Sequence, residues 1–241
     1  MAHDLSLAVA EALLRTQRPK GHRPTTDASE QKHAVIAVSR EVGARGETVA
    51  RELGHQLGCP VYGREIVEKV AEELRQPASV LQRFDERPTF WLEDWVMGMP
   101  GQGAPISMDT YVKYLFATVR GMAEMGRCVI VGRGAGRLLP ASRTLRVSLI
   151  ADRPDRIKTV QRVHHLDETA AVEWLDRTEH ERSLFIRRNF GVDPADPHLY
   201  DVMLNTSRLS IAECADTIAG AFVQFEARVT AGAASSPAPV S

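Results

Sequence analysis

Lysine is scarce here. The 241-residue chain has five lysines against 25 arginines, and only Lys69, Lys113 and Lys158 lie beyond residue 32. Any anion site it holds must therefore be served largely by planar guanidinium forks rather than by compact ammonium charges. Cysteine is scarcer still. Cys59, Cys128 and Cys214 are far apart in apolar surroundings, which excludes a disulfide framework and reads as reduced thiols of a cytoplasmic protein. Metal-ligand spacing is missing too: His164-His165 is the only close pair, and neighbours on a helix point apart. The formal net charge is −1, with no basic run, so neither DNA nor an anionic membrane is drawn at long range. No apolar stretch approaches membrane-spanning length. Leu5 to Leu14 comes closest, but it contains Glu11 and lacks a basic start, unlike a signal peptide. Internal repeats are absent.

What is present suits one substantial core, since 44% of the residues are hydrophobic. Residues 1–16 read as an amphipathic helix capped near Asp4, and 17–32 as a polar linker with Pro19 and Pro24. Residues 33–229 form the main domain, with 230–241 a disordered tail of small residues and proline. The N-terminal helix and the Trp91/Trp95 region are the candidates for a homo-oligomer contact. Nucleic acid and membrane are not expected partners.

The most telling stretch is AVIAVSREVGARGETVARELGHQL, residues 34–57. Ala34 to Val38 is a short β-branched apolar run, as in a strand buried on both faces. Val49, Leu53 and Leu57 then recur at helical spacing. The intervening turn carries Gly43 and Gly46, which let a backbone approach a ligand. Unpaired amides and the positive dipole end of the following helix favour phosphate there. In the pattern G-x-x-x-x-G-K-[ST], Gly46 fits the second glycine and Thr48 the magnesium-binding hydroxyl, while Glu41 and Glu47 take the places of the first glycine and the lysine. Arg45 and Arg40 lie close enough in sequence to substitute for that lysine.

A second strand, Cys128 to Val131, opens into Gly132-Arg133-Gly134-Ala135-Gly136-Arg137, and a third, Leu145 to Ile150, runs into Asp152-Arg153-Pro154, an N-cap with proline in the first turn. Pro60 to Tyr62 is a brief strand. Glycine-rich strand ends are where open α/β sheets bind ligands. Helices follow strands in the alternating order of a parallel sheet. Ile66 to Leu74 marks one helix, Pro77 starts another, and Thr110 to Met125 is amphipathic. Asp167 caps a long, charge-dense helix running to about Arg188, read as an exposed face with pairs such as Arg177–Glu181. Ser210 and Glu213 form a capping box for the last helix.

The segments IAVSREVGARGETVARELGHQLGCPVYGREIV, CVIVGRGAGRLL, LRVSLIADRPDRI and LYDVMLNTSRLSIAE together resemble the cytidylate kinase-like family of P-loop nucleoside monophosphate kinases. The resemblance covers most of residues 34–225. It implies an α/β, P-loop kinase-like three-layer sandwich, with a five-stranded parallel sheet and a helical lid at about 165–195. It also implies phosphoryl transfer from ATP with Mg²⁺ to a nucleoside monophosphate, CMP-like by preference. Carried over by position, Arg40 and the stretch Gly43, Ala44, Arg45, Gly46, Glu47 and Thr48 hold the donor phosphates, and Thr48 touches the metal. Tyr62, Arg64, Gly132, Arg133, Asp201 and Asn205 face the acceptor. Arg45, Arg182, Arg187 and Arg188 neutralise charge on the phosphoryl group in flight. Glu41 and Glu47 stand as helpers to magnesium, and Asp85 or Asp201 as the carboxylate that positions the acceptor. Three places depart from the family. Val131 stands where an acidic residue precedes Gly-Arg, Gly134 where an aspartate helps read cytosine, and Gly63 where an aspartate follows the tyrosine. Two other readings follow from these departures: a nucleotide-holding module without turnover, or a scaffold.

Overall fold

The computed structural model describes residues 33–63, Ile66, Lys69, Val70 and 108–234. The chain runs through β1 (Val35–Arg40), α1 (Gly46–Leu57), β2 (Val61–Tyr62), α2 (Met108–Glu124), β3 (Val129–Val131), α3 (Ala135–Leu138), β4 (Thr144–Ile150), α4 (Arg153–His164), α5 (Glu168–Phe190), β5 (Val202–Asn205) and α6 (Ile211–Ala234). The five strands lie in the order β2-β3-β1-β4-β5, and every pairing is parallel. This is the expected α/β sandwich. The expected strands recur within one or two residues because each is a short apolar run that a doubly covered sheet buries.

Two helical layers produce that burial. On one face Ile36, Val38, Val129 and Val147 pack with Val49 and Leu53 of α1 and with Ile218 and Phe222 of α6. On the other, Val35, Ala37 and Ile130 pack with Tyr111, Leu115 and Val119 of α2, and with Ile66 and Val70. Each such side chain contributes about 1.5–3 kcal/mol. A third apolar cluster joins Val42, after β1, to Val160 of α4 and to Ala171 and Leu175 of α5. The root of the lid is thereby packed onto the loop that follows the first strand.

The caps account for the helix boundaries. Asp167 accepts the Ala170 amide at 2.8 Å. Ser210 and Glu213 exchange the two bonds of a capping box, at 2.8 and 3.2 Å. Asp152 departs from expectation. Pro154 does lie in the first turn of α4, but the Asp152 side chain makes no cap and instead accepts from Asn205 Nδ2 at 3.1 Å. The charge-dense face of α5 also differs, because two of its carboxylates cross to α4: Arg153 pairs with Asp176 at 2.7 Å, and Arg156 with Glu179. The equal spacing of three residues on both helices makes a two-rung ladder. The last helix continues to Ala234, five residues into the stretch read as tail. The N-terminal helix, the linker, Asp85, Trp91, Trp95 and the helix starting at Pro77 lie outside the described residues.

Candidate functional site

The chain leaves β1 and turns back through Glu41–Arg45 into α1. Glu41 donates its amide to Leu149 O at 2.9 Å, and Ala44 donates to Glu41 O at 3.2 Å. Gly43 has a φ of 82°, and a Cβ there would lie 2.5 Å from the Arg156 carbonyl oxygen, so only glycine lets the loop rest on α4. Arg45, the residue before α1, has a φ of 55° without being glycine. The amides of Gly43, Arg45, Gly46 and Glu47 have no hydrogen-bond partner among the described residues. These are the orphan donors of a helix start, and they border a cavity of about 1280 Å³.

Arg45 leaves the phosphate side of the loop. Its Nη2 donates to the Thr206 carbonyl, and Thr206 Oγ1 returns a bond to Ala44 O at 3.1 Å. The left-handed backbone at Arg45 carries the side chain towards the β5–α6 turn, where it clamps two loops together. Arg40 is the arginine that crosses the site. Its Cβ and Cγ would meet a Cβ on Gly46 at 2.6 and 2.7 Å, and its Nη1 would meet one on Gly132 at 2.5 Å. The Arg40 side chain thus runs from the start of α1 to the glycine loop after β3. Glu47 stands 3.9 Å from Arg40 Nη2 and is exposed, as is Thr48.

The two acidic replacements have separate employments. Glu41 Oε2 accepts the Ala151 amide at 2.9 Å and lies 3.6 Å from Arg156 Nε. It braces the loop. Glu179 of α5 accepts the Val42 amide at 3.3 Å and is bound by Arg156, whose side chain is only 9% exposed.

Of the remaining expected residues, Gly132, Arg133, Arg182 and Arg187 border the cavity. Arg187 also pairs with Asp193 at 2.9 Å. Arg188 is exposed and not part of the wall. Tyr62 packs into the core beneath α2, and burial raises its hydroxyl pKa. Ala44 is fully buried behind the loop. Arg64 lies outside the described residues. Asp201 and Asn205 are not in the wall either. Asp201 grips Arg146 through Nε at 3.0 Å and Nη2 at 2.6 Å. Asn205 bonds Asp152 and the Ser207 amide, tying β5 to α4. Gly134 has a structural reason: a Cβ there would collide with the ring of Phe190, which stacks on Phe116 at 5.3 Å between centroids.

Ten arginines and five carboxylates border the cavity, so a chain of net charge −1 concentrates positive charge at one place. Arg137, Arg146, Tyr200, Arg156 and Glu179 were not among the expected site residues. Arg146 had a visible signal, as a lone charge inside the apolar strand LRVSLI. Thiol chemistry is not supported: burial pushes the Cys128 pKa up to about 12, far from the thiolate range. Among the described residues no group of three His, Cys, Asp or Glu side chains is placed to hold a metal, and no helix is long and apolar enough to cross a membrane.

A parallel sheet in the order 2-3-1-4-5, with a phosphate-type loop after the central strand and a helical lid over it, defines a P-loop kinase-like protein. The sequence pattern of the cytidylate kinase-like family matches residues 35–208, and the chain belongs to that family. Among curated proteins no sequence matches the chain. Its structure is similar to a protein from Eubacterium ventriosum described as uncharacterized, with 19% identity, a TM-score of 0.58, and coverage of 81% of this chain and 99% of that one. Shikimate kinase from Acinetobacter baumannii, in complex with shikimate, gives 13% identity, a TM-score of 0.49, and coverage of 82% and 96%. Shikimate kinase from Bacteroides thetaiotaomicron gives 12%, 0.48, 79% and 98%.

Proposed function

We propose that this protein transfers the terminal phosphoryl group of a nucleoside triphosphate, ATP by preference, to a nucleoside monophosphate, with a CMP-like acceptor the first candidate. The observation that carries the reading is Arg40, laid across Gly46 and reaching Gly132. It joins the donor loop to the acceptor loop, which is where a cation must sit to neutralise charge on a group passing between them. Arg40 takes the part of the absent lysine, and Arg45 holds the loop in shape. Gly43, Arg45, Gly46 and Glu47 offer their amides to the donor phosphates. Arg133 faces the acceptor phosphate, and Arg182 and Arg187 approach from the lid. A phosphate acceptor is already a nucleophilic anion and needs no general base, which agrees with carboxylates that are engaged elsewhere.

Magnesium fits only as a partner of the triphosphate. Thr48 is exposed at the cavity and Glu47 is beside it, a thin donor set that suits an ion keeping its waters and phosphate oxygens. Bound so, the ion would screen the donor charge; the arginines do the orienting. A reducing cytoplasm suits the three free thiols.

A nucleotide-holding module without turnover is the second reading. It is favoured by Glu47 in the place of the lysine and by Glu179 on the Val42 amide. A coupled assay with Mg-ATP and a panel of nucleoside monophosphates separates the two. Turnover with one acceptor supports the kinase. Saturable binding with no turnover on any acceptor supports the module.

A further inference from the structure

β4 sets polar residues between buried apolar ones. A parallel strand covered on both faces should be apolar throughout, and Leu145, Val147 and Leu149 are buried as expected. Between them stand Arg146 and Ser148, and Ser39 of β1 lies opposite Ser148 in the register. All three border the cavity. The Arg146 side chain is 20% exposed and is gripped twice by Asp201. From α3, Arg137 comes to the same place. Its Nη2 donates to Leu199 O at 3.3 Å and its Nε to Gly136 O at 3.1 Å. Gly136 lies against Arg146, since a Cβ there would stand 3.5 Å from Arg146 Cγ. Tyr200 donates to Pro194 O at 2.8 Å and is hydrogen-bonded with Ser39.

The charges do not balance. Burial pushes the Asp201 carboxyl up, but the hydrogen bonds and charge of Arg146, together with the charge of Arg137, bring it below its ordinary value. Asp201 thus faces two guanidiniums, while Asp193 and Asp196, the other carboxylates near Tyr200, pair with Arg187 and His198. A staple between β4 and β5 needs Arg146 and Asp201 alone, so Arg137 is surplus to it. The Nη1 of each arginine has no hydrogen-bond partner among the described residues.

The geometry points to a second anion-binding site on the sheet floor of the cavity, in which Arg137 and Arg146, flanked by Tyr200 and Ser39, hold a second anionic group of the acceptor. This inference rests on the phosphotransfer reading and narrows it to acceptors with two separated anionic groups. One is the phosphate near Arg133; the other is a carboxylate or phosphate on the floor. Planar forks fixed by neighbouring carbonyls and a carboxylate are arranged before the ligand arrives, which suits a bidentate anion.

Calorimetric titration of the full chain tests this with three probes. Methyl phosphate carries one anionic group, 2-phosphoglycolate adds a carboxylate, and methylenediphosphonate adds a second phosphorus acid. The two-group probe that matches the floor binds at least about tenfold tighter than methyl phosphate, and its identity tells carboxylate from phosphate. Arg137→Ala brings that ratio towards one and leaves Mg-ATP affinity unchanged. Arg137→Lys, which keeps the charge and loses the fork, gives an intermediate ratio and decides the matter if the alanine variant does not fold. Equal binding of all three probes, or a ratio that Arg137→Ala leaves intact, overturns the site. Failure of wild-type protein to bind Mg-ATP counts instead against the phosphotransfer reading and leaves the probe ratio readable.

Discussion

Glu179, midway along α5, accepts the amide proton of Val42 in the loop after β1, at 3.3 Å. The contact joins α5 to that loop by a hydrogen bond as well as by the apolar cluster of Val42, Val160, Ala171 and Leu175. Arg156 lies beneath it and holds both Glu179 and Glu41. Eleven residues further on, Phe190 rests against Gly134. At 1.5 Å per residue this is roughly 16 Å of helix. One rigid element therefore touches both the loop after β1 and the loop after β3.

Glu179→Ala removes a partner from a nearly buried guanidinium, which usually costs more than the pair itself is worth. The expected loss is about 1–3 kcal/mol, allowing for the exposure of Glu179. Thermal melts check it, and Glu179→Gln, which still accepts the Val42 amide, should lose less.

Gly134→Ala puts a methyl group into the Phe190 ring at a φ of 68°. Overpacking and the left-handed backbone together should cost about 2–4 kcal/mol. Phe190→Ala relieves the collision but not the backbone cost. A double-mutant cycle by chemical denaturation should show the double variant more stable than the sum of the two single changes.

Arg45→Gly and Arg45→Ala separate backbone from side chain. Both lose the bond to the Thr206 carbonyl, worth about 0.5–1.5 kcal/mol, but glycine removes the strain of a φ of 55°. The glycine variant should therefore melt closer to wild type. Neither should abolish nucleotide binding, which titration with Mg-ATP checks.

Asp201 sets a pH dependence whose sign follows from its lowered pKa. A carboxyl held below its unfolded value stabilises the protein above that value, near 3.8, and the contribution fades as pH falls through the folded value. Asp201→Asn should thus melt below wild type at pH 7, with the gap closing under acid. Asp176, Asp193, Asp196 and Glu213 are lowered too, so the whole protein loses stability in that window.

How far the sequence could be read depends on whether each signal is local. The strands, the loop glycines, the capping box at Ser210 and the family were legible because each is written in contiguous residues. The choice between Arg40 and Arg45 was not. Both are near the loop in sequence, but the left-handed backbone turns Arg45 towards Thr206, while the end of β1 aims Arg40 over Gly46. The partner of Asp201 was hidden for a related reason: Arg146 is 55 residues away and becomes a neighbour only when β5 joins β4. The arginine in β4 was visible, but its meaning needed the sheet order.

Bare amides at the start of α1 and the Arg40 guanidinium beside them are the proposed seat of the donor phosphates. Titration of Mg-ATP into wild-type protein and Arg40→Ala tests this most directly. Saturable binding by wild type, weakened at least about tenfold (about 1.4 kcal/mol) in the variant with its fold intact, is the predicted result. No binding to wild type, or equal affinity in the two proteins, would contradict it.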